Sequence, residues 1–269
     1  MKRLETLLQF TILISQIVTN SGCDMEQATI QLGESTYTKT QVRTHIERML
    51  GAGDGHNVPF FKFSDEIVYP CKTYGLLTEQ IQKLFQEKFD AVIQHTPLKI
   101  TDCFGEYDGE LRLLFMFVQD LSALKDVETI EPYLRRDNES RADYEKRLED
   151  PIQSYRKVWG FEEDEHHNVK WIGVGVCAAE INDGETIKVI RHHFIRFIFD
   201  LITQTEKHGK IIKETLLAGT VAKGDYVDHL YPFDIAYLKA MYSTDIPNGI
   251  SKKKAARLIA DKIWIEFKK

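Results

Sequence analysis

The sequence lacks an excess of positive charge and lacks a long apolar run. Its 269 residues carry 35 Lys and Arg against 41 Asp and Glu, which gives a net charge of -6. Proteins that bind the nucleic-acid backbone need a basic surface, so we exclude general nucleic-acid binding. The longest apolar stretch, near the N-terminus, is broken by Gln9, Ser15 and Gln16. It falls short of the roughly 20 residues of a membrane-spanning helix, which excludes a polytopic membrane protein.

Cysteine is scarce, and its spacing does not form a metal motif. The four cysteines are Cys23, Cys71, Cys103 and Cys177. Without a CxxC pair they cannot build a zinc knuckle by themselves. An oxidising compartment would permit Cys71 to pair with Cys103 across a loop of about thirty residues, leaving Cys177 as a buried thiol. The alternative is that all three are unpaired core thiols, and the sequence leaves both open.

The first 23 residues have the pattern of a secretory signal of the lipoprotein type. Lys2 and Arg3 precede a mostly apolar run, and Ser21 and Gly22 then lead to Cys23. Cleavage before Cys23 and acylation of its thiol would leave the chain attached to a membrane only through this lipid. The alternative is a cytoplasmic protein whose N-terminal helix packs on the core, through apolar residues at helical spacing: Leu4, Leu7, Leu8, Ile14 and Val18.

Composition and hydrophobic spacing predict how the rest of the chain is organised. Residues 24–57 are polar, with a short helical pattern around Val42, Ile46 and Met49 to Leu50, and are interpreted as a leader to the main fold. Residues 131–168 contain a charged insertion. The other elements are predicted in this order: a strand near 60–71, a helix over 78–94, strands over 111–118 and 171–181, a helix over 186–204, a short helix over 234–242 and a last helix that Ser251 caps.

The helix over 186–204 combines an apolar face with a polar stripe. His193, Arg196 and Asp200 fall at positions i, i+3 and i+7, which share one side of a helix. One interpretation of Arg196 and Asp200 is a surface ion pair at i,i+4 spacing. The other is that Arg196 lines a cleft and binds a carboxylate of a peptide or partner. The opposite face is apolar: Ile190, Phe194, Phe197, Ile198 and Leu201.

Three regions resemble a family of bacterial exported proteins, many of them lipoproteins, that is catalogued as a domain of unknown function. They are the strand, helix and strand over 60–118, the helix that begins IRHHFIRFIF, and the tail FDIAYLKAMYSTDIPNGISKKKA. The layout of this family is similar to zincin metallopeptidases of the metzincin kind. The resemblance implies a single α+β domain over 58–269, with a mixed sheet and the two long helices packed on one of its faces.

The resemblance also aligns the helix with the zinc motif HExxHxxGxxH of active metzincins. His192 keeps the first ligand position, whereas His193 replaces the glutamate that activates water. Arg196 stands in place of the second histidine, and a guanidinium does not ligate zinc. Phe199 and Ile202 replace the glycine and the third ligand. The motif therefore does not support zinc, and no cofactor and no catalytic residue are predicted.

These observations predict an exported, lipid-anchored protein of the bacterial cell envelope that keeps a peptidase-like scaffold to bind a protein or peptide. Its candidate cleft residues are His192, His193, Arg196 and Asp200. The alternative function is a metal-dependent hydrolase with an altered site around His192 and His193. The missing carboxylate and second histidine favour the binding protein.

Overall fold

The structure is a computed structural model that describes most of the chain after the predicted signal. The signal and Cys23 lie outside the described residues, and so does part of the predicted insertion. In the described part of the chain, no helix is long and apolar enough to cross a membrane. The described residues are 28–52, 59–75, 77–106, 112–118, 139–149, 157–177, 187–205, 209–216 and 226–268.

These residues form eight strands and six helices, which confirms a mixed α+β fold. In chain order they are β1 (Thr29–Leu32), β2 (Ser35–Thr38), α1 (Lys39–Met49), β3 (Val68–Tyr69), β4 (Cys71–Gly75), α2 (Glu79–Ile93), β5 (Lys99–Ile100), β6 (Leu113–Val118), α3 (Arg141–Glu149), β7 (Lys157–Glu163), β8 (Val169–Cys177), α4 (Ile187–Thr203), α5 (Pro232–Met241) and α6 (Lys252–Phe267).

The largest sheet has four strands in the order β4, β6, β8 and β7. Strands β4, β6 and β8 run parallel, and β7 is antiparallel to β8, so the sheet is mixed as predicted. The three parallel strands need long connections, and α2 lies within the first of them. Two smaller sheets accompany it: the antiparallel pair β1 and β2, and the short parallel pair β3 and β5.

The two long helices α2 and α4 pack on the same face of this sheet. Phe115 and Phe117 of β6 are two residues apart and therefore point to one side. Phe85 of α2 lies edge-on to both, with ring centroids 5.0 and 5.4 Å away. From α4, Phe197 contacts Phe115 and Phe194 contacts Phe117. This confirms the predicted packing of both helices on one face, while the zincin layout stays a prediction.

Capping residues set the starts of these helices. Thr78 accepts a hydrogen bond from the Ile81 N–H at the start of α2, and Ser251 accepts one from the Lys254 N–H at the start of α6. Both caps satisfy amides that have no partner within the helix. The helix predicted over 234–242 begins earlier, because Pro232 suits the first helical turn.

The segment predicted as a polar leader, 24–57, packs into the core over its described part. Residues Thr29 to Met49 form β1, β2 and α1, and α1 lies against α6. The segment is polar on average because its apolar residues are few, but they recur at the spacing of one strand face and one helix face. These side chains are buried: Ile30, Leu32, Val42, Ile46 and Met49.

The predicted insertion, 131–168, contains two different structures. Over its described side chains, residues 141–146, helix α3 exposes the charged residues of its first turn and buries Tyr144. From Lys157 the chain becomes β7, the edge strand of the main sheet. The turn that follows is closed by Asp164, whose carboxylate accepts hydrogen bonds from the Asn168 amide and the His166 N–H. The second half of the segment therefore belongs to the sheet.

Cys71 and Cys103 form a disulfide. Of the two alternatives that the sequence leaves open, the structure therefore has the one in which these two cysteines are paired. Their Cα atoms are 4.5 Å apart, and both residues are buried. The bond joins β4 to the turn after β5, where Thr73 also donates its N–H to the Cys103 carbonyl. The side chain of Cys177 lies outside the described residues.

Candidate functional site

Helix α4 carries all four residues predicted to line a cleft, but they do not share one environment. His193, Arg196 and Asp200 are partly exposed, as expected of a polar stripe. His192 is only 2% exposed and lies on the buried side. Neighbouring helical residues point about 100° apart, which places the two adjacent histidines in different environments.

His192 is held by the backbone of a distant segment. Its Nδ1 lies 2.6 Å from the carbonyl oxygen of Val227, and since a carbonyl only accepts, Nδ1 must donate. In the neutral ring the lone pair is then on Nε2. Burial lowers the pKa of His192 and Arg196 lowers it further, whereas the bond to Val227 and the charge of Asp228 act in the opposite direction. The ring is neutral at pH 7.

His193 and Tyr226 complete an aromatic cluster around His192. The ring centroids of His192 and His193 are 5.3 Å apart, and Tyr226 lies 5.6 Å from the first and 6.4 Å from the second. Burial, the neighbouring His192 ring and the Arg196 guanidinium lower the pKa of His193 to about 4. Two neutral imidazoles and a phenol therefore lie together at pH 7.

Residues 226–229, here named the cover segment, lie across α4 and α2. Lys88 of α2 is buried, and its Nζ donates to the Asp228 carbonyl at 3.0 Å and to Glu87 at 2.9 Å. Arg191 of α4 approaches the carboxylates of Glu87 and Asp228 only at 3.8 and 3.9 Å. The short hydrogen bonds to backbone carbonyls, rather than these longer ion pairs, fix the cover segment.

Within the described residues, no group of three or more His, Cys, Asp or Glu side chains could hold a metal ion. His229 is largely exposed and lies 3.8 Å from the Asp228 carboxylate. Arg196 is near enough to both imidazoles to lower their pKa values. Its predicted ion pair with Asp200 stays a prediction, and so does its role in binding a carboxylate.

Sequence reasoning missed the residues that hold His192. Lys88 occupies a position of α2 that looks like an ordinary solvated lysine, but it is buried and donates to the Asp228 carbonyl of the cover segment. Tyr226 and Val227 lie in a stretch with no helical or strand periodicity, where pattern alone gives no signal. The sequence also gave no reason to single out two buried polar residues, His45 and Asp234.

No family model, no curated protein and no solved structure matches the chain. The resemblance to exported proteins with a zincin layout therefore rests on the sequence strings and stays a prediction.

Proposed function

We propose that this chain is an exported, lipid-anchored protein of the bacterial cell envelope that uses a peptidase-like scaffold to bind a protein or peptide without cleaving it. One observation carries the non-catalytic part of the proposal. His192, which stands in place of the first zinc ligand, is buried beneath the cover segment and donates to the Val227 carbonyl. The burial of the ring, rather than the hydrogen bond itself, supports the proposal, because a catalytic metal site keeps an open position for water or substrate and this imidazole is covered by the chain's own backbone.

The charge next to His192 and His193 also supports a role without a metal. Arg196 is one helical turn beyond His192 and lowers the pKa values of both imidazoles. The same positive potential disfavours a divalent cation between the rings. Arginine instead suits carboxylates, because its guanidinium presents donors in a planar fork.

Export is supported by the disulfide and by the pattern of the first 23 residues. Disulfides persist in oxidising compartments and are rare in the cytosol. Cys71 and Cys103 are paired, and Cys23 is the proposed point of lipid attachment. The cytoplasmic alternative would require this disulfide to survive in a reducing environment.

Export and anchoring are tested by expressing the full chain in a bacterium with a radioactive palmitate label. We expect label in the wild type and none in Cys23→Ser, with Cys177→Ser as the matched control that keeps the label. Intact-mass measurement of the N-terminus provides a second reading. Retention of Met1 on an unlabelled chain would overturn the export proposal.

A second function, metal-dependent hydrolysis at an altered site, is favoured by one observation. The bond from His192 Nδ1 to Val227 leaves the Nε2 lone pair available, which is how a backbone carbonyl orients a histidine that ligates a metal. His193 is neutral beside it. However, the two rings provide no carboxylate to activate a water molecule.

Metal content distinguishes the two functions. The full chain is incubated with zinc, desalted, and measured by elemental analysis. The binding proposal expects no stoichiometric zinc in the wild type. Stoichiometric zinc that is lost in His192→Ala but kept in the exposed control His229→Ala would overturn it in favour of the hydrolase.

A further inference from the structure

Residues 209–216, here named the strap, are a described part of the connection between α4 and α5. A buried histidine of α1 holds them. His45 is fully buried, and its Nδ1 accepts hydrogen bonds from the backbone N–H groups of Ile211 and Ile212 at 3.2 and 3.0 Å. Ile212 is itself buried. One imidazole nitrogen therefore satisfies two adjacent amides, one partly buried and one buried, and the buried amide of Ile212 would otherwise lack an acceptor.

The surroundings of the ring fit a neutral imidazole closely. Gly209 lies against it, and a Cβ at this position would come within 2.2 Å of the ring. Phe233 of α5 packs edge-on at 5.5 Å. The other nitrogen, Nε2, carries the proton, and it is buried without a hydrogen-bond partner among the described atoms.

A second proton would break this arrangement for a geometric reason. Both amides point at Nδ1, so a proton there removes the lone pair and places three N–H groups against one another. Burial lowers the pKa of His45 to about 3, and the positive charge of Arg48 acts in the same direction. Among the described residues, no negative charge acts on the ring to compensate.

We propose that His45 is a proton-sensitive latch whose protonation in acid releases the strap from α1. The latch goes beyond the proposed function and is independent of it, because it involves neither His192 nor the cover segment. The direction of the effect and its pH range follow from the linkage between protonation and stability. The closed strap requires neutral His45, so its stability is complete above pH 6.5, the ordinary pKa of the ring, and is lost as the pH falls.

Other titratable groups on the strap must be separated from this effect. Glu214 accepts from the Tyr37 hydroxyl at 2.8 Å, and Tyr37 in turn accepts from the Lys213 N–H. At the far end, Asp234 of α5 accepts from the Leu216 N–H. Burial raises the pKa of Asp234 to about 7, so its contribution is lost as the pH rises, with a sign opposite to that of His45.

The test therefore compares the wild type with His45→Asn, in which Asp234 and Glu214 are unchanged. The amide oxygen of asparagine can replace Nδ1 as an acceptor but does not titrate. Hydrogen exchange of strap peptides is measured at pH 7 and pH 5 and corrected for the intrinsic exchange rate. We expect the ratio of wild-type to H45N protection to fall by about 25-fold between these pH values.

The same substitution at His95, a partly exposed histidine just after α2, is the matched control and should leave the strap profile unchanged. A ratio that changes less than twofold would overturn the latch. If H45N does not fold, nitrogen chemical shifts of the wild-type imidazoles decide. A His45 that is protonated on Nδ1, or that titrates near pH 6.5 while the strap stays protected, would contradict the proposal.

Discussion

Two buried histidines hold two parts of the α4 to α5 connection, and they do so with opposite hydrogen-bond roles. His45 accepts from two amides of the strap through Nδ1. His192 donates from Nδ1 to a carbonyl of the cover segment. Both rings are buried and neutral at pH 7, and burial lowers the pKa of each.

The difference lies in how each contact responds to a proton. Protonation of His192 adds a hydrogen to Nε2 and leaves the Nδ1–H bond to Val227 intact. Protonation of His45 removes the acceptor from Ile211 and Ile212. Burial alone therefore does not make a histidine a pH sensor. The role of the ring nitrogen in its hydrogen bond decides how strongly the fold depends on the neutral form.

The largest effect is expected when His45 is removed. His45→Ala leaves a cavity and removes the acceptor of the partly buried Ile211 amide and the buried Ile212 amide, which together should lower the free energy of unfolding by about 4 kcal/mol. His45→Asn keeps an acceptor and should lose less than half of that. Urea unfolding at pH 7 measures the free energy of unfolding of both variants. Equal losses for the two variants would mean that packing, not hydrogen bonding, makes His45 important.

A smaller loss is expected when the space beside the His45 ring is filled. The Cβ of Gly209→Ala would lie 2.2 Å from the ring, so the strap or the histidine must shift, at a cost of about 2–3 kcal/mol. Gly105→Ala is the matched control, because its Cβ would meet its nearest atom at 3.5 Å. Thermal unfolding compares the two. Similar melting temperatures for the two variants would show that the strap can shift to accommodate the added Cβ with little loss of stability.

The His192 contact should contribute less, because it involves a single hydrogen bond. His192→Leu leaves the Val227 carbonyl without this donor and should lower the free energy of unfolding by about 1–2 kcal/mol. His192→Asn keeps an N–H donor and should retain most of the stability. The rate of proteolysis within the cover segment measures how firmly that segment is held. If the asparagine and leucine variants are cleaved equally fast, the hydrogen bond does not hold the segment.

The smallest effect is expected for the ion pairs of the cover segment. Asp228→Asn removes its ion pairs with Lys88, Arg191 and His229 but keeps the backbone carbonyl to which Lys88 donates. These pairs are 3.8 to 3.9 Å long, and Lys88 keeps its hydrogen bonds to Glu87 and to the Asp228 carbonyl, so the change should stay below about 0.5 kcal/mol. The salt dependence of the free energy of unfolding tests this expectation. A loss of more than about 1 kcal/mol in the free energy of unfolding would mean that ion pairs, rather than hydrogen bonds to backbone carbonyls, contribute most to holding the cover segment.

Local signals in the sequence were sufficient for the long helices. Helix α2 was predicted over 78–94 and spans Glu79–Ile93, because the apolar residues that mark it recur at a spacing set within one turn of the chain. Helix α4 spans Ile187–Thr203, within the predicted 186–204. For Cys71 and Cys103 the sequence offered pairing as one of two alternatives, since it gives no distance between them.

The candidate site could be only partly predicted. The polar stripe with His193 and Arg196 follows from helical spacing alone. The partner of His192 does not, because Val227 lies 35 residues away on a segment without periodicity. Likewise, a count of polar residues over 24–57 suggested a leader, whereas the few apolar residues of α1 are buried against α6.

The sequence by itself determined the α+β class and the starts of the helices α2, α4 and α6. These features depend on the order of residues over one or two turns, where backbone geometry fixes the neighbours. Only the tertiary structure decided which histidines are buried and whether each one accepts or donates. That outcome depends on backbone groups brought in from distant segments, and the long-range contacts that place them follow from packing of the whole core.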